Sequence, residues 1–562
     1  MKKFNKFLSA VLVASMAISL VACGNEPTES AVSSESTVTS ETTAVAPTET
    51  TPVEPETYEV NYPVDTDVKL SIFSMYPTLN ATYASWEESP YHTTLQKNTG
   101  IYVDYQLVSS KERLTKYNLI WTSPLNEIPK MVVNNYTGAD LDVLADEGMI
   151  WDLTDYVEQY APDYWAYLNK EGNEALLKGA YTGSGRMLAI SSFYESDINL
   201  TYLGPVIRQD WLDECGLQAP VTIEDWEKVL VAFKDKYGAT FAWCASTFKE
   251  GFASGFGAYT SLGADVKAVN LYLDDNGKIQ YAAVQPEYKE MLATLNKWYE
   301  MGLIDQDSFT MDEKAVREKV AAGKIGATFA KMSGLTNFET DAKAEGGSGA
   351  NWVGISYPRT APGEPTNWIQ TQNKRIASTL TAITKSASEE EMIACLQWLN
   401  YGFTEEGFMY QNFGTEGESY NLDANGKPVY TDLVRKEDGA VNTSELSKYV
   451  GTSGSAVGGL VASEQVTQKN DQKAVAAIKA WVENTEVGKH FLPSFSISAD
   501  KTAEYTDKMT LINTVVAEKA MKFIVGEESF DKFDDYVKEL EGYGLADCLA
   551  IQQAGYDAFM SN

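Results

Sequence analysis

The sequence predicts an α/β protein with two or more lobes, from two local patterns and from its length. Residues 68–73 alternate apolar and polar side chains, as a strand in a half-buried sheet does, and residues 131–133 form a second short apolar run. A helical pattern follows over residues 139–147. Residues 58–562 are enough chain for at least two lobes, each with a sizeable hydrophobic core.

Two later helices are predicted from their first turns. Thr222 and Asp225 have the spacing of a capping box, as do Ser388 and Glu391. Each box precedes apolar residues spaced for one buried helix face: Trp226, Val229, Leu230 and Phe233 in the first helix, and Met392, Cys395, Leu396 and Leu399 in the second. Trp211 is also assigned to the core, in a helix that Gly216 ends.

The N-terminus has the pattern of an export signal. A basic start precedes the apolar residues 7–22, a stretch too short for a typical transmembrane helix. Residues 20–23, Leu-Val-Ala-Cys, resemble the lipobox of bacterial lipoproteins, in which the cysteine is acylated and becomes the mature N-terminus. The sequence therefore predicts a signal peptide over residues 1–22 and lipidation, with palmitate as one acyl group, at Cys23. The alternative is a plain secretory signal with a chance cysteine.

The segment that follows Cys23 has the composition of a tether. Residues 24–57 contain no aromatic residue, no lysine and no arginine, and consist largely of Ser, Thr, Glu and Pro. Such a segment cannot bury enough apolar surface to offset its ordering entropy. We expect residues 23–57 to be a disordered link between the lipid and the folded protein, on the extracellular face of the cell membrane.

The charge of the chain excludes some partners. The sequence holds 79 acidic and 45 basic residues, for a formal net charge of −34. This field repels nucleic acid and anionic lipid headgroups, so we expect no nucleic-acid partner and membrane contact through the N-terminal lipid only.

Cysteine and histidine usage excludes several chemistries. After Cys23 only four thiols remain, none in CxxC spacing, and the chain has two histidines, His92 and His490. A histidine-based zinc site or a Ser-His-Asp triad is therefore poorly supported, and no cofactor is expected. A disulfide stays possible, but its pairing cannot be read from the sequence.

Two Asp-rich turns have a faint resemblance to the start of a calcium loop. They are residues 274–277, Asp-Asp-Asn-Gly, and residues 423–427, Asp-Ala-Asn-Gly-Lys. Both lack the glutamate at the final loop position that such a site needs. Asn-Gly between extended flanks favours a hairpin turn, so two hairpins and no metal site are predicted.

Six phrases, in order along the chain, resemble one family. Residues 208–225 are similar to "R-x-D-W-L-x-x-x-G-L … P-x-T-x-x-E/D" of extracellular solute-binding proteins, family 1. The other phrases are Gly-Met-Ile-Trp-Asp-Leu-Thr at 148–154, Trp-Tyr-Glu-Met-Gly-Leu-Ile-Asp at 298–305, Gly-Lys-Ile-Gly-Ala at 323–327, Ala-Ile-Thr-Lys at 382–385 and Phe-Gly-Thr-Glu-Gly-Glu-Ser-Tyr at 413–420. The phrases at 323–327 and 382–385 resemble strand entries. The chain thus resembles the lipoprotein-type, ABC-transporter members of this family.

The resemblance implies a type II periplasmic-binding-protein-like fold, with two α/β lobes, an interlobe ligand cleft and hinge crossings. On this reading the N-lobe comprises residues 58–195 plus 350–405, and the C-lobe residues 196–349 plus 406–562. Crossings are expected near residues 190–205, 345–355 and 400–410. The implied partners are a small-molecule solute and the transmembrane subunits of an ABC permease. The protein is expected to be a monomer and not an enzyme.

A carbohydrate is the favoured solute. Sugars present apolar C–H faces edged by hydroxyls, so their sites need flat rings together with Asn, Asp, Glu and Arg side chains. Rings and polar groups of this kind occur where the family places its cleft. The candidate ligand-binding residues are Tyr76, Trp86, Asn135, Tyr136, Tyr194, Trp243, Phe256, Lys331, Trp352, Arg375 and Glu416. For Trp243 a core position is the more common alternative, and Glu416 could simply brace a turn.

Three functions stay open on the sequence alone. The favoured one is a lipid-anchored receptor that captures an oligosaccharide for an ABC importer. The second is a surface-anchored carbohydrate-active enzyme, a glycosidase or a lyase, although no acid/base motif is recognisable. The third is a binding protein for peptides or charged sugars, which Lys331 and Arg375 would favour if they face the cleft.

Overall fold

The computed structural model describes most of the chain beyond residue 57. The described residues are 58–75, 89–109, 112–133, 141–196, 198, 201–244, 250–260, 271–332, 334–344, 350–366, 376–437, 439–451, 458–486, 490, 492–493, 495 and 497–561. The signal, Cys23 and the tether therefore lie outside them. Among the described residues no helix combines the length and the apolarity that a membrane crossing requires.

The described strands form two main sheets and two hairpins. The strands are β1 (Lys69–Met75), β2 (Tyr102–Val108), β3 (Met131–Val133), β4 (Ile190–Tyr194), β5 (Leu203–Arg208), β6 (Thr240–Phe241), β7 (Leu271–Leu273), β8 (Ile279–Tyr281), β9 (Ile325–Lys331), β10 (Trp352–Gly354), β11 (Ile376–Ile383), β12 (Tyr420–Leu422), β13 (Pro428–Tyr430) and β14 (Leu460–Val461). The first sheet has the order β14-β4-β11-β3-β1-β2, and the second has the order β10-β5-β9-β6.

Helices cover both sheets. They are α1 (Pro90–Thr99), α2 (Arg113–Ile120), α3 (Leu141–Asp146), α4 (Val157–Tyr160), α5 (Pro162–Leu168), α6 (Glu174–Ala180), α7 (Gln209–Cys215), α8 (Ile223–Tyr237), α9 (Pro286–Glu300), α10 (Glu313–Ala321), α11 (Gly334–Ala344), α12 (Glu389–Asn400), α13 (Glu405–Phe413), α14 (Thr443–Leu446), α15 (Ser463–Lys469), α16 (Gln472–Val482), α17 (Ala499–Val525), α18 (Phe533–Gly542) and α19 (Leu545–Ser561).

Each sheet has its own hydrophobic core, so the protein has two lobes. The first core lies around β1 and β4 and includes Ile72, Phe193 and Trp398. The second lies around β5 and β9 and includes Trp226 and Trp298. Burial of these large apolar side chains stabilises each lobe separately.

The predicted helix starts are confirmed. Thr222 caps α8 and Ser388 caps α12, each in a complete capping box, and both predicted apolar faces are buried. Gly216 ends α7 with φ at 66°, in the left-handed region where glycine is favoured. Trp211 and Trp226 lie in the second core as predicted.

The strand predictions are confirmed with one exception. Residues 69–75 and 131–133 form β1 and β3, and Gly323 precedes β9 as a strand entry. Residues 382–385 were expected at the start of a strand. They instead lie at the end of β11, which begins at Ile376. The two Asn-Gly turns join β7 to β8 and β12 to β13 in antiparallel hairpins.

The predicted lobe boundaries need two corrections. Residues 350–357 were placed in the N-lobe, but β10 pairs with β5 and so belongs to the second sheet. Residues 406–461 were placed in the C-lobe, but β14 pairs with β4 in the first sheet. Short strands are assigned to a sheet by pairing with distant residues, and the local sequence does not report that pairing.

The described elements place three crossings between the lobes. The first crossing, residues 195–202, joins β4 to β5, within the range predicted. For the second, the described residues show only that Thr366 is bridged to Thr485 in the second lobe and that Ile376 begins β11 in the first sheet. The third, residues 462–471, joins β14 to α16. These two replace the crossings predicted near 345–355 and 400–410. The first and third crossings run side by side, since the Ser463 amide donates to the Glu195 carboxylate at 2.8 Å and the Ser196 and Ser463 hydroxyls are 2.5 Å apart.

Candidate functional site

The strand directions place several chain segments at one edge of the first sheet. β3 runs parallel to β1, β14 runs parallel to β4, and β11 is antiparallel to both β3 and β4. The carboxyl ends of β1, β3, β4 and β14 and the start of β11 therefore share one edge. Binding groups of open α/β sheets gather at such an edge.

The corresponding edge of the second sheet adjoins the first crossing between the lobes. β6 runs parallel to β9, and β5 is antiparallel to β9 and to β10. The carboxyl ends of β6, β9 and β10 and the start of β5 share an edge. Because residues 195–202 lead from the end of β4 to the start of β5, the two edges adjoin the same crossing, where the family resemblance predicts the ligand cleft.

Five predicted site residues lie outside the described residues. They are Tyr76, Trp86, Asn135, Tyr136 and Arg375. In sequence, the first four follow β1 and β3, and Arg375 immediately precedes β11. These five stay predictions.

Two predicted residues lie at the cleft edges. Tyr194 is the last residue of β4 and is half-buried, next to the first crossing. Lys331 is the last residue of β9 in the second sheet, and its side chain is 41% exposed. The structure therefore brings one ring and one cation of the predicted set to the two sheet edges that adjoin the first crossing.

Two predicted tryptophans are core residues in this conformation. Trp243 is 2% exposed and packs edge-on against Phe309, with ring centroids 5.5 Å apart. Trp352 is fully buried on β10, 5.3 Å from the Phe338 ring centroid. Neither ring has surface free for a ligand, because both fill the second core, so their predicted contact with a solute is not supported by this arrangement.

Phe256 and Glu416 lie elsewhere. Phe256 is buried at the wall of a groove of about 780 Å³ between α8 and α9, which Lys331 does not line. Within this groove Lys297 pairs with the Glu227 carboxylate at 2.6 Å. Glu416 is exposed in the turn before β12, bridged through its backbone to Tyr420, which agrees with the bracing alternative.

Lys331 does not present a bare positive charge. Its ammonium donates to both carboxylate oxygens of Glu313, at 2.8 and 3.0 Å. Glu313 is the first residue of α10, which precedes β9 in the chain. Hydrogen bonding to this carboxylate raises the pKa of Lys331 above its ordinary value, with burial opposing the shift.

The sequence reasoning missed Tyr202. It is the last residue of the first crossing, it is 48% exposed, and its carbonyl accepts from the Met332 amide at 2.8 Å. That bond places Tyr202 beside the end of β9 and next to Lys331. Residue 202 falls inside the crossing predicted near 190–205, which was the available signal.

The histidines and cysteines have structural roles. Burial lowers the pKa of His92 to about 3, and its Nδ1 lies 2.7 Å from the Ser89 hydroxyl. His490 is buried with Nδ1 2.7 Å from the Leu273 carbonyl oxygen. Cys215, Cys395 and Cys548 are thiols outside any disulfide, and Cys244 is buried.

The two Asp-rich loops are turns held by their own backbone. Asp274 accepts from the amides of Asn276 and Lys278, and Asp423 accepts from those of Asn425 and Lys427, at 2.8–2.9 Å. These backbone hydrogen bonds lower the pKa of both carboxyl groups. Within the described part of the chain, no cluster of three or more His, Cys, Asp or Glu side chains could hold a metal ion.

The family model for bacterial extracellular solute-binding proteins matches residues 80–407, more than half of the chain. The chain belongs to this family. The match begins beyond the tether and runs through both lobes as far as α13. The resemblance identified from the six phrases is thereby confirmed.

Individual relatives of this solute-binding protein are similar along most of their length. It is 25% identical to lipoprotein LipO of Bacillus subtilis over 84% of this chain and 89% of LipO. It is 24% identical to the fructooligosaccharide ABC transporter substrate-binding protein FusA of Streptococcus pneumoniae, over 83% of this chain and 86% of FusA.

Solved structures show the same two-lobed fold. FusA in complex with kestose matches with a TM-score of 0.60 at 22% identity, over 88% of this chain and 100% of FusA. An HMO-binding solute-binding protein from Bifidobacterium longum infantis matches with a TM-score of 0.65 at 18% identity, over 87% of this chain and 99% of that protein.

Proposed function

We propose that this protein is a lipid-anchored receptor that captures an oligosaccharide in its interlobe cleft and delivers it to an ABC permease. The observation that carries the proposal is the similarity to FusA, which extends over most of both chains. Exposed or half-buried tyrosines at the two sheet edges that adjoin the first crossing, Tyr194 and Tyr202, support it, because tyrosine rings suit the apolar faces of sugars.

The proposed receptor binds its solute without turnover. Closure of two lobes around a solute gives a loaded form that a permease can recognise. Delivery then needs the sugar to leave intact, so we propose that the protein has no glycosidase or lyase activity.

A ligand panel tests the proposed function. The measurement is thermal unfolding of the protein against neutral oligosaccharides, acidic oligosaccharides and short peptides. A ligand that binds only the native state stabilises it by about 2.7 kcal/mol at a hundredfold excess over Kd. We expect a raised Tm with one glycan family. A raised Tm with peptides alone contradicts the proposal.

The proposed anchor predicts an all-or-none change in location. Cys23→Ala removes the thiol that would be acylated, so the protein should leave the membrane fraction and be recovered in the medium or remain as an uncleaved precursor free of lipid label. Cellular fractionation after growth with radiolabelled palmitate measures the location of the protein and its lipid label. Cys215→Ala, which removes a half-buried thiol of the second lobe, is the matched control and should keep membrane retention and label. Labelled, membrane-bound Cys23→Ala protein would contradict the anchor.

A further inference from the structure

The Lys331–Glu313 pair gives the second lobe's cleft edge a balanced donor and acceptor. The Lys331 ammonium is bound by both oxygens of the Glu313 carboxylate, and the two side chains are 41% and 45% exposed. The pair is therefore reachable by a solute while it stays formed. A carboxylate this close cancels most of the field of the ammonium.

A ring lies beside this pair. Tyr202 is exposed on the first crossing, and its backbone carbonyl is bonded to Met332, the residue after Lys331. A sugar stacked on the Tyr202 ring would place its hydroxyl edge toward Lys331 and Glu313. A hydroxyl both donates and accepts hydrogen bonds, so an ammonium next to a carboxylate satisfies it fully.

The other charged group described on the crossing is also acidic. Glu195 begins the crossing at the end of β4, where its carboxylate accepts from the Ser463 amide at 2.8 Å. On the first crossing and in the pair at the end of β9, the described charged groups are thus one lysine and two glutamates. Their sum disfavours a ligand that carries carboxylate groups of its own.

We propose that Glu313 sets ligand specificity by neutralising Lys331, so that the Tyr202–Lys331–Glu313 site selects neutral oligosaccharides over uronate-containing ones. This inference rests on the proposed function and names the substrate class of the same cleft. Specificity arises here because attraction is withheld, since Glu313 cancels the charge of Lys331 that would otherwise attract a uronate.

The test compares neutral and acidic probes on one protein. Titration calorimetry of the wild type is run with neutral tri- and tetrasaccharides, including kestose, and with tri-galacturonate. The wild type should bind a neutral probe at least ten times more tightly than tri-galacturonate. Glu313→Gln frees the charge of Lys331 with little change in shape, so this ratio should fall about tenfold or more.

Two further variants test whether the freed charge of Lys331 causes the change in the binding ratio. Glu313→Gln alone is expected to bind tri-galacturonate more tightly than the wild type. The double variant Glu313→Gln with Lys331→Met should not show this increase, because it lacks the freed ammonium. Glu318→Gln removes an exposed carboxylate on the same helix that pairs with Lys314 at 3.6 Å, and it should keep the wild-type ratio. Unchanged Tm and circular dichroism confirm that each variant is folded.

Failure of this inference and failure of the proposed function give different results. Tight binding of tri-galacturonate by the wild type, or an unchanged ratio in Glu313→Gln, overturns this inference and leaves the receptor function standing. Absence of binding to any glycan contradicts the proposed function and this inference with it.

Discussion

Replacing Trp481 by alanine is expected to lower the free energy of unfolding of the second lobe by about 3–5 kcal/mol. Trp481 is fully buried near the end of α16, and its Nε1 donates to the Pro205 carbonyl oxygen at 2.9 Å. Its ring lies directly on the β5 backbone at Gly204, where a Cβ atom would come within 2.5 Å of the ring. The substitution opens a cavity between α16 and β5 and removes one of two donors to the Pro205 carbonyl, which keeps the Ile355 amide at 3.1 Å.

The measurement is urea unfolding followed by circular dichroism, with the midpoint of each transition recorded. Trp165→Ala is the matched control, because Trp165 is half-buried on α5 of the first lobe and should cost much less. A loss below about 1 kcal/mol for Trp481→Ala would show that α16 does not pack on the second sheet as described.

Replacing Asn400 by leucine is expected to cost the first lobe about 3 kcal/mol, because the buried Tyr164 amide and the part-buried Asp163 amide each lose an acceptor. The Asn400 Oδ1 accepts from the backbone amides of Asp163 and Tyr164 at 2.9 and 3.0 Å, at the start of α5. Its Nδ2 donates to the Asp163 carboxylate at 2.7 Å and to the Tyr62 hydroxyl at 3.2 Å. Leucine has a similar shape and makes none of these four bonds.

The same unfolding experiment reports on Asn400→Leu, now in the transition of the first lobe. Asn421→Leu is the control, since Asn421 is exposed on β12 and should change stability by less than about 0.5 kcal/mol. Equal midpoints for the two variants would refute the role given to Asn400 at the start of α5.

Local structure could be predicted where a few neighbouring residues decide it. The capping boxes at Thr222 and Ser388, the stop at Gly216 and both Asn-Gly hairpins are confirmed, because each depends on hydrogen bonds within about four residues. The lobe boundaries could not be predicted in this way. Trp352 and Leu460 join sheets through strands more than a hundred residues away in sequence.

The candidate site was harder to predict for a related reason. A tryptophan near a strand end can pack in a hydrophobic core or contact a ligand. Trp243 and Trp352 are both buried in the core in this conformation. Tyr202 lies in a crossing with no periodic pattern, so nothing in its neighbourhood distinguished it. Lys331 was predicted as a site residue, but its partner Glu313 is 18 residues away in sequence. Only the folded chain shows that the Lys331 ammonium is paired with the Glu313 carboxylate.

The central claim is that the protein binds a sugar and releases it unchanged. The most direct measurement is titration calorimetry with the best glycan from the unfolding panel, followed by chromatography of that glycan after hours with the protein. We predict saturable binding of one glycan per protein and full recovery of the intact glycan. Shortened or unsaturated products would contradict the receptor account and establish an enzyme.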